Sequence, residues 1–203
     1  MMLITFEGGE GSGKSTQIRL LEKYLAGLGK KVLSTAEPGG TELGYQLRKI
    51  LLTGEKPDPL AELLLFAADR AEHVAKVIKP ALEKGRIVLS DRYFDSTVAY
   101  QIGGRGLSVK TVEFLNQLAS GGLKPDLTFL LDLPVEEGLK RALVETKFER
   151  EELSFHQRVR KMFLKIAAQD PKRVKVIDST APVTEVQEEI QKLCKAKIFG
   201  KRS

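Results

Sequence analysis

Residues 8–15 read Gly-Gly-Glu-Gly-Ser-Gly-Lys-Ser, a full match to G-x-x-x-x-G-K-[ST], and they lie between two patterns of different period. Met2-Leu3-Ile4-Thr5-Phe6 before them is a short β-prone apolar run, and Thr16-Gln17-Ile18-Arg19-Leu20-Leu21 after them opens a helix. Strand, glycine loop and helix in that order form a phosphate-binding P-loop. Gly8, Gly9, Gly11 and Gly13 let the backbone turn and aim N–H groups at one anion, around the variable positions Glu10 and Ser12. Lys14 brings a mobile positive charge for the β- and γ-phosphates, Ser15 offers a hydroxyl to Mg²⁺, and Thr16 begins the helix whose N-terminus faces the phosphates.

The same alternation continues along the chain. Residues 31–35, 86–90, 127–131 and 173–177 are further short apolar runs, read as strands 2 to 5, and helical stretches separate them. Ile18, Leu21, Leu25 and Leu28 mark one helix face, ended by Gly29. Asp58-Pro59 is an N-cap followed by a preset first helical residue. Pro182 opens a last helix with Val183, Val186, Ile190 and Leu193 on one face. Such a chain folds as α/β, with a parallel sheet and helices on both sides. Its 203 residues, without repeats or linkers, read as one domain over 1–203.

Composition excludes several classes. With 42% hydrophobic and 30% charged residues the chain is globular, and no apolar run approaches the ~18 residues of a membrane span. The N-terminal apolar run leads into the glycine loop and reads as strand 1, not as a leader. One cysteine, Cys194, fits a reducing cytoplasm and a packing role. The net charge of +6 suits an anionic ligand. With 6% aromatic residues and no Trp, a nucleic-acid partner is not expected.

Ligands of a parallel sheet bind beyond the carboxyl ends of its strands. Those ends carry the glycine loop, Glu37-Pro38-Gly39-Gly40-Thr41, Asp91-Arg92-Tyr93, Asp132 and Asp178. Asp91 after its apolar run has the position of a metal-holding acid, with Arg92 beside it. Asp132, before Pro134, is either a site residue or a turn residue, and Asp178 reads as structural. Phe66 and Arg70, four apart on a helix, share a face. They either stack a base and pair a phosphate, or are a core Phe beside a surface Arg.

Taken together, these blocks resemble bacterial thymidylate kinase, of the P-loop nucleoside monophosphate kinases, over nearly the whole chain. The carrying motifs are Phe6-Glu7-Gly8 into the loop, Glu37 to Thr41, Leu64 to Val74, Asp91-Arg92-Tyr93 with Ser96 and Ala99-Tyr100-Gln101, and Leu131-Asp132-Leu133-Pro134. The resemblance implies a three-layer P-loop kinase fold with sheet order 2-3-1-4-5 and a short lid at about 142–150. It implies phosphoryl transfer from ATP to dTMP with Mg²⁺, giving dTDP, and a homodimer. By this likeness Phe66 stacks on the thymine, and Thr97 and Gln101 lie by the base. Arg48, Arg70 and Arg92 hold the dTMP phosphate. Tyr100 lies against the sugar, where it disfavours a 2′-hydroxyl, and Glu10 lies near the 3′-hydroxyl. Ser15 and Asp91 serve the metal, and Lys14 and Arg92 the transferred group.

Two departures stand out. Ala36 occupies a position where such kinases often carry Arg, and the loop's variable positions hold no cation. The lid must then supply one, from Lys147 or Arg150, with Arg141 placed on the adenine or the ATP phosphates. A helix carrying Leu153, Phe155, Val159 and Phe163 on its apolar face is expected beyond about residue 150. Another monophosphate kinase, or a nucleotide-binding homologue that has lost turnover, is the alternative reading.

Overall fold

The computed structural model describes residues 1–53, 55–142 and 147–200. Five parallel strands, β1 (Met2–Glu7), β2 (Val32–Ala36), β3 (Ile87–Asp91), β4 (Leu127–Asp132) and β5 (Val174–Asp178), form one sheet in the order β2-β3-β1-β4-β5. Both the strand set and the order agree with expectation. β2, β3 and β5 lie one residue further along the chain than the apolar runs suggested, and β4 starts at Leu127 as read and runs one residue longer.

β1, β3 and β4 are buried almost throughout, because helices cover both faces. One face gathers Ile4, Phe6, Leu89, Phe129 and Leu131 against α1 (Lys14–Gly27) and α9 (Val183–Phe199). The other packs Leu130 and Val174 against α8 (Leu153–Gln169), and Leu3 and Val88 against the helix that follows α3 (Pro59–His73). That continuation is a π-helical turn, Val74–Ile78, then α4 (Lys79–Glu83). Three layers result.

The remaining helices are α2 (Glu42–Leu52), α5 (Phe94–Thr97), a π-helical segment Val98–Gly104, α6 (Val109–Ser120) and α7 (Val135–Arg141). Asp58 caps α3 as expected, accepting from Leu60 N–H at 2.8 Å, with Pro59 at the first position. Three residues assigned to apolar faces are exposed instead. Leu28 follows the end of α1, and Leu153 and Val183 each begin their helix, so the first or last turn projects past the layer it would pack on. Phe155, Val159 and Phe163 are buried as read.

Strand order reverses at β1, with β3 on one side and β4 on the other. The crevice beyond the strand ends opens there, and the glycine loop and the Asp91-Arg92-Tyr93 turn are delivered side by side.

Candidate active site

The glycine loop is built by close approach. Gly8, at φ 137°, lies so near β4 that a Cβ would meet the Leu131 carbonyl at 2.4 Å. Gly11, at φ 65°, and Gly138 of α7 press on each other across the loop. A Cβ on Gly138 would lie 2.4 Å from the Glu10 carbonyl. Gly13, at φ 88°, turns the chain into α1. Lys14 folds back over its own loop, donating to the Gly8 and Gly9 carbonyls at 3.2 and 2.9 Å. Burial and the neighbouring Arg92 charge lower its pKa, so an arriving anion would restore what both take away. Ser12 donates to Gly9 within the loop, and Thr16 lies in the first turn of α1.

Ser15 Oγ donates to Asp91 Oδ2 at 2.8 Å, at the foot of the loop. A hydroxyl and a carboxylate are oxygen donors of the kind Mg²⁺ takes together with phosphate oxygens and water. Among the described residues no cluster of three or more His, Cys, Asp or Glu could hold a metal unaided. The pair therefore fits a cation that arrives with a nucleotide.

Arg92 is at φ 68°, a left-handed conformation that few side chains adopt. Hydrogen bonds on both sides hold it there. Its N–H donates to the Phe6 carbonyl and Ser90 Oγ donates to its own carbonyl. Just beyond, Glu7 accepts from Tyr93 N–H at 2.9 Å and Ser96 Oγ at 2.5 Å. Burial, reinforced by Asp95, pushes the Glu7 carboxyl up to about 8. The turn aims the guanidinium across the crevice. It donates to the Gly8 carbonyl at 3.1 Å, to Ser96 Oγ at 3.1 Å and to Glu10 Oε1 at 2.7 Å. Tyr100 O–H donates to the same Glu10 oxygen at 2.6 Å. Burial would raise the Glu10 carboxyl, but Arg92 and Lys14 outweigh it and hold it at about 2.

Beside the loop lies a cavity whose lining includes Glu10, Arg48, Phe66, Arg70, Arg92, Thr97, Tyr100 and Gln101. Every residue expected to face dTMP is brought together there. Phe66 is half-buried and its ring lies 6.2 Å from that of Phe148, which also lines the cavity. Arg70 is no surface residue: it is buried, with Nε on Glu37 Oε2 at 2.8 Å and Nη1 on Thr97 and Asn116. Its Nη2 bonds nothing among the described residues. Arg48 donates to the Pro38 carbonyl at 2.8 Å.

The Glu37-to-Thr41 block, quoted from the sequence without a role, is a bracket for this wall. Glu37 joins Arg70 to His73, Gly39 N–H donates to Asp69, Gly40 packs on the His73 ring, and Thr41 caps α2.

Lys147 Nζ donates to the carbonyls of Ile50 and Glu55 at 2.8 and 2.6 Å, at the end of α2 and just past it, not to the loop. Carbonyls left over at a helix end attract a cation, and the residue spacing gave no sign of that neighbour. Arg150 is exposed in the turn 147–150 and makes contacts of its own. Arg141, at the end of α7, donates to Ser179 O at 3.1 Å and has its Cβ against Gly11. The part of the lid at 143–146 lies outside the described residues. Asp132 pairs with Arg160 at 2.8 and 2.9 Å, and Asp178 bonds Thr180, a structural role as read.

Residues the sequence reading missed act from behind the site: Glu7, Gly138, and Glu62 with Arg105. An acidic residue closing an apolar strand is a weak signal for Glu7. Nothing local marks the others.

Likeness to known proteins agrees with this geometry. A sequence model of the family described as thymidylate kinase matches residues 6–190. Thymidylate kinase of Synechococcus sp. (strain JA-3-3Ab) is 51% identical over 199 residues, 98% of each chain. That of Sulfurihydrogenibium sp. (strain YO3AOP1) is 52% identical, over 90% of this chain and 91% of the other. The crystal structure of thymidylate kinase from Ehrlichia chaffeensis superposes with a TM-score of 0.79 at 38% identity, covering 95% of this chain and 98% of that one. With that loop, that turn and that cavity on one sheet edge, the chain belongs to the thymidylate kinase family.

Proposed function

We propose that this protein transfers a phosphoryl group from ATP to dTMP, giving dTDP and ADP. The observation that carries the reading is Arg92, whose guanidinium reaches both the Gly8 carbonyl of the phosphate loop and the cavity that holds Phe66 and Gln101. One cation stands where donor and acceptor phosphates must meet. Two dense anions approach only if charge is placed for them beforehand, and phosphoryl transfer asks little else of a protein.

In this reading the loop from Gly8 to Thr16 holds the ATP phosphates, with Arg141 against the adenine or those phosphates. Phe66 stacks on thymine, and Thr97 and Gln101 lie at its edge. Arg48, Arg70 and Arg92 hold the dTMP phosphate. Tyr100 and Glu10 lie against the sugar. Ser15 and Asp91 would hold Mg²⁺, which when bound neutralises charge on the phosphate oxygens. Lys14 follows the transferred group. The lid, about 142–150, supplies a further cation from Arg150 or Lys147, the latter only after leaving the α2 carbonyls. The whole chain acts as one catalytic unit.

We also infer a homodimer. Leu60 and Leu64 on α3 and Phe114 and Leu118 on α6, two helices packed together, are exposed apolar residues that a second copy would cover. Among the described residues no helix is long and apolar enough to cross a membrane. The cytoplasm is the compartment inferred, where a buried free thiol such as Cys194 stays reduced.

A coupled ADP-release assay with dTMP, dUMP, CMP, UMP and AMP, with and without Mg²⁺, tests the reading. dTMP should be the preferred acceptor and chelation should abolish turnover. Turnover of another monophosphate in preference to dTMP would overturn it.

A further inference from the structure

Gln101 sits in the π-helical segment Val98–Gly104, wholly buried, and lines the cavity. Its Nε2 donates to Glu62 Oε1 at 2.8 Å, and its Oε1 has no hydrogen-bond partner among the described residues. A glutamine amide can lie either way round, with nitrogen and oxygen exchanged. Here one of the two is excluded. Glu62, also buried, is gripped by Arg105, with Nε 3.0 Å from Oε1 and Nη2 3.0 Å from Oε2. Both carboxylate oxygens are therefore acceptors, and an amide carbonyl turned towards them would set lone pair against lone pair. Arg105 is held in turn by Glu151 at 2.6 Å and stands over the Phe155 ring at 4.7 Å. The carboxylate is thus gripped by a cation that is itself held.

We infer that Glu62, braced by Arg105, is a positioning residue for base selection: it locks the Gln101 amide so that its carbonyl is left for the base. The cavity then offers an acceptor to a ring N–H. Thymine and uracil carry hydrogen on N3, whereas cytosine carries a lone pair there. A buried carbonyl without a partner costs free energy until something donates to it. A thymine or uracil ring satisfies it, and a cytosine ring adds a repulsion. The choice between the two pyrimidine classes thus originates at residue 62, behind the residue that meets the ring. This inference rests on the dTMP kinase reading.

The test compares kcat/KM for dTMP and dCMP, and KM for ATP, in the wild type, Glu62→Gln, Gln101→Leu and the double variant. In Glu62→Gln the new amide can donate or accept, so Gln101 can turn. The dTMP/dCMP ratio should fall at least tenfold, mainly through KM of the monophosphates, with KM for ATP within twofold of wild type. Gln101→Leu should lose the same discrimination, and adding Glu62→Gln to it should change the ratio no further. Should Glu62→Gln fail to fold, Glu62→Asp keeps the charge for Arg105 but withdraws it from Gln101, and the same tenfold fall is expected. An equal loss for both nucleotides with the ratio intact would make Glu62 a packing residue and overturn the inference. Absence of dTMP turnover in the wild type would instead overturn the activity reading itself.

Discussion

The Arg92 guanidinium and the Glu10 carboxylate meet at 2.7 Å across the mouth of the phosphate loop, and Tyr100 O–H closes on the same oxygen at 2.6 Å. Glu10 thereby ties the cation of the β3 turn to the loop itself. Glu10→Gln keeps the shape and removes the charge that opposes Arg92. The dTMP KM should rise severalfold and kcat should drop more than tenfold, because the guanidinium is no longer aimed. Steady-state kinetics on both substrates decides it, and unchanged kcat would show that Gly8, Ser96 and Tyr100 hold Arg92 without the Glu10 charge.

Lys14→Ala should cut turnover by several orders of magnitude while the circular dichroism spectrum and melting temperature stay near wild type. Among the described residues the ammonium group bonds only loop carbonyls and Ser12, so its loss removes phosphate-facing charge and little packing. Turnover within about tenfold of wild type, or ~1.4 kcal/mol, would be incompatible with the loop's assigned role.

Phe66→Ala should weaken dTMP binding by roughly 1–3 kcal/mol, the scale of base–aromatic stacking. The half-buried ring also touches the cluster around Phe148, so some stability should go with it. Calorimetric titration with dTMP beside a thermal melt separates the two effects. A large fall in stability with dTMP affinity intact would make Phe66 a core residue.

Glu7 makes stability depend on pH with a definite sign. Its carboxyl is held at about 8 in the fold against the ordinary 4.5 of a glutamate, so the native state keeps a proton that the unfolded chain releases. The ionisation cost is absent below the lower value, grows between the two, and is complete above the upper. Glu7→Gln cannot ionise, so its stability relative to wild type should improve from pH 5 to pH 9. Urea unfolding at both ends measures this, and an equal difference at the two pH values would rule the explanation out.

Gly138→Ala should damage the site from outside it. The added methyl would stand 2.4 Å from the Glu10 carbonyl, so either the loop or α7 must shift. KM for ATP should rise and kcat fall by at least tenfold, with the fold retained. Wild-type kinetics in this variant would mean that α7 yields without moving the loop.

The lid and the cavity wall show where reading by residue type runs out. Lys147 has the charge that a phosphate-facing lid needs, yet it is spent on two carbonyls near the end of α2. Arg70 has the charge expected of a phosphate ligand, yet its Nε and Nη1 donors serve Glu37, Thr97 and Asn116 before any substrate arrives. Charge is a property of the residue, whereas the partner that satisfies it is a property of the packing.

Local chemistry was enough for the alternation of strands and helices, for the phosphate loop and for the cap at Asp58. In each case the cause lies within a few residues: apolar period, backbone freedom at glycine, or a side chain bonding its own helix end. The family motifs carried the cavity lining and the sheet order as well. Only the tertiary structure decided what stands behind that lining. Glu7 under the Arg92 turn, Gly138 against the loop, and Glu62 with Arg105 behind Gln101 each act on a residue at least 39 positions away. Their effects depend on desolvation and on which lone pair faces which hydrogen, and neither exists until distant segments have been packed together.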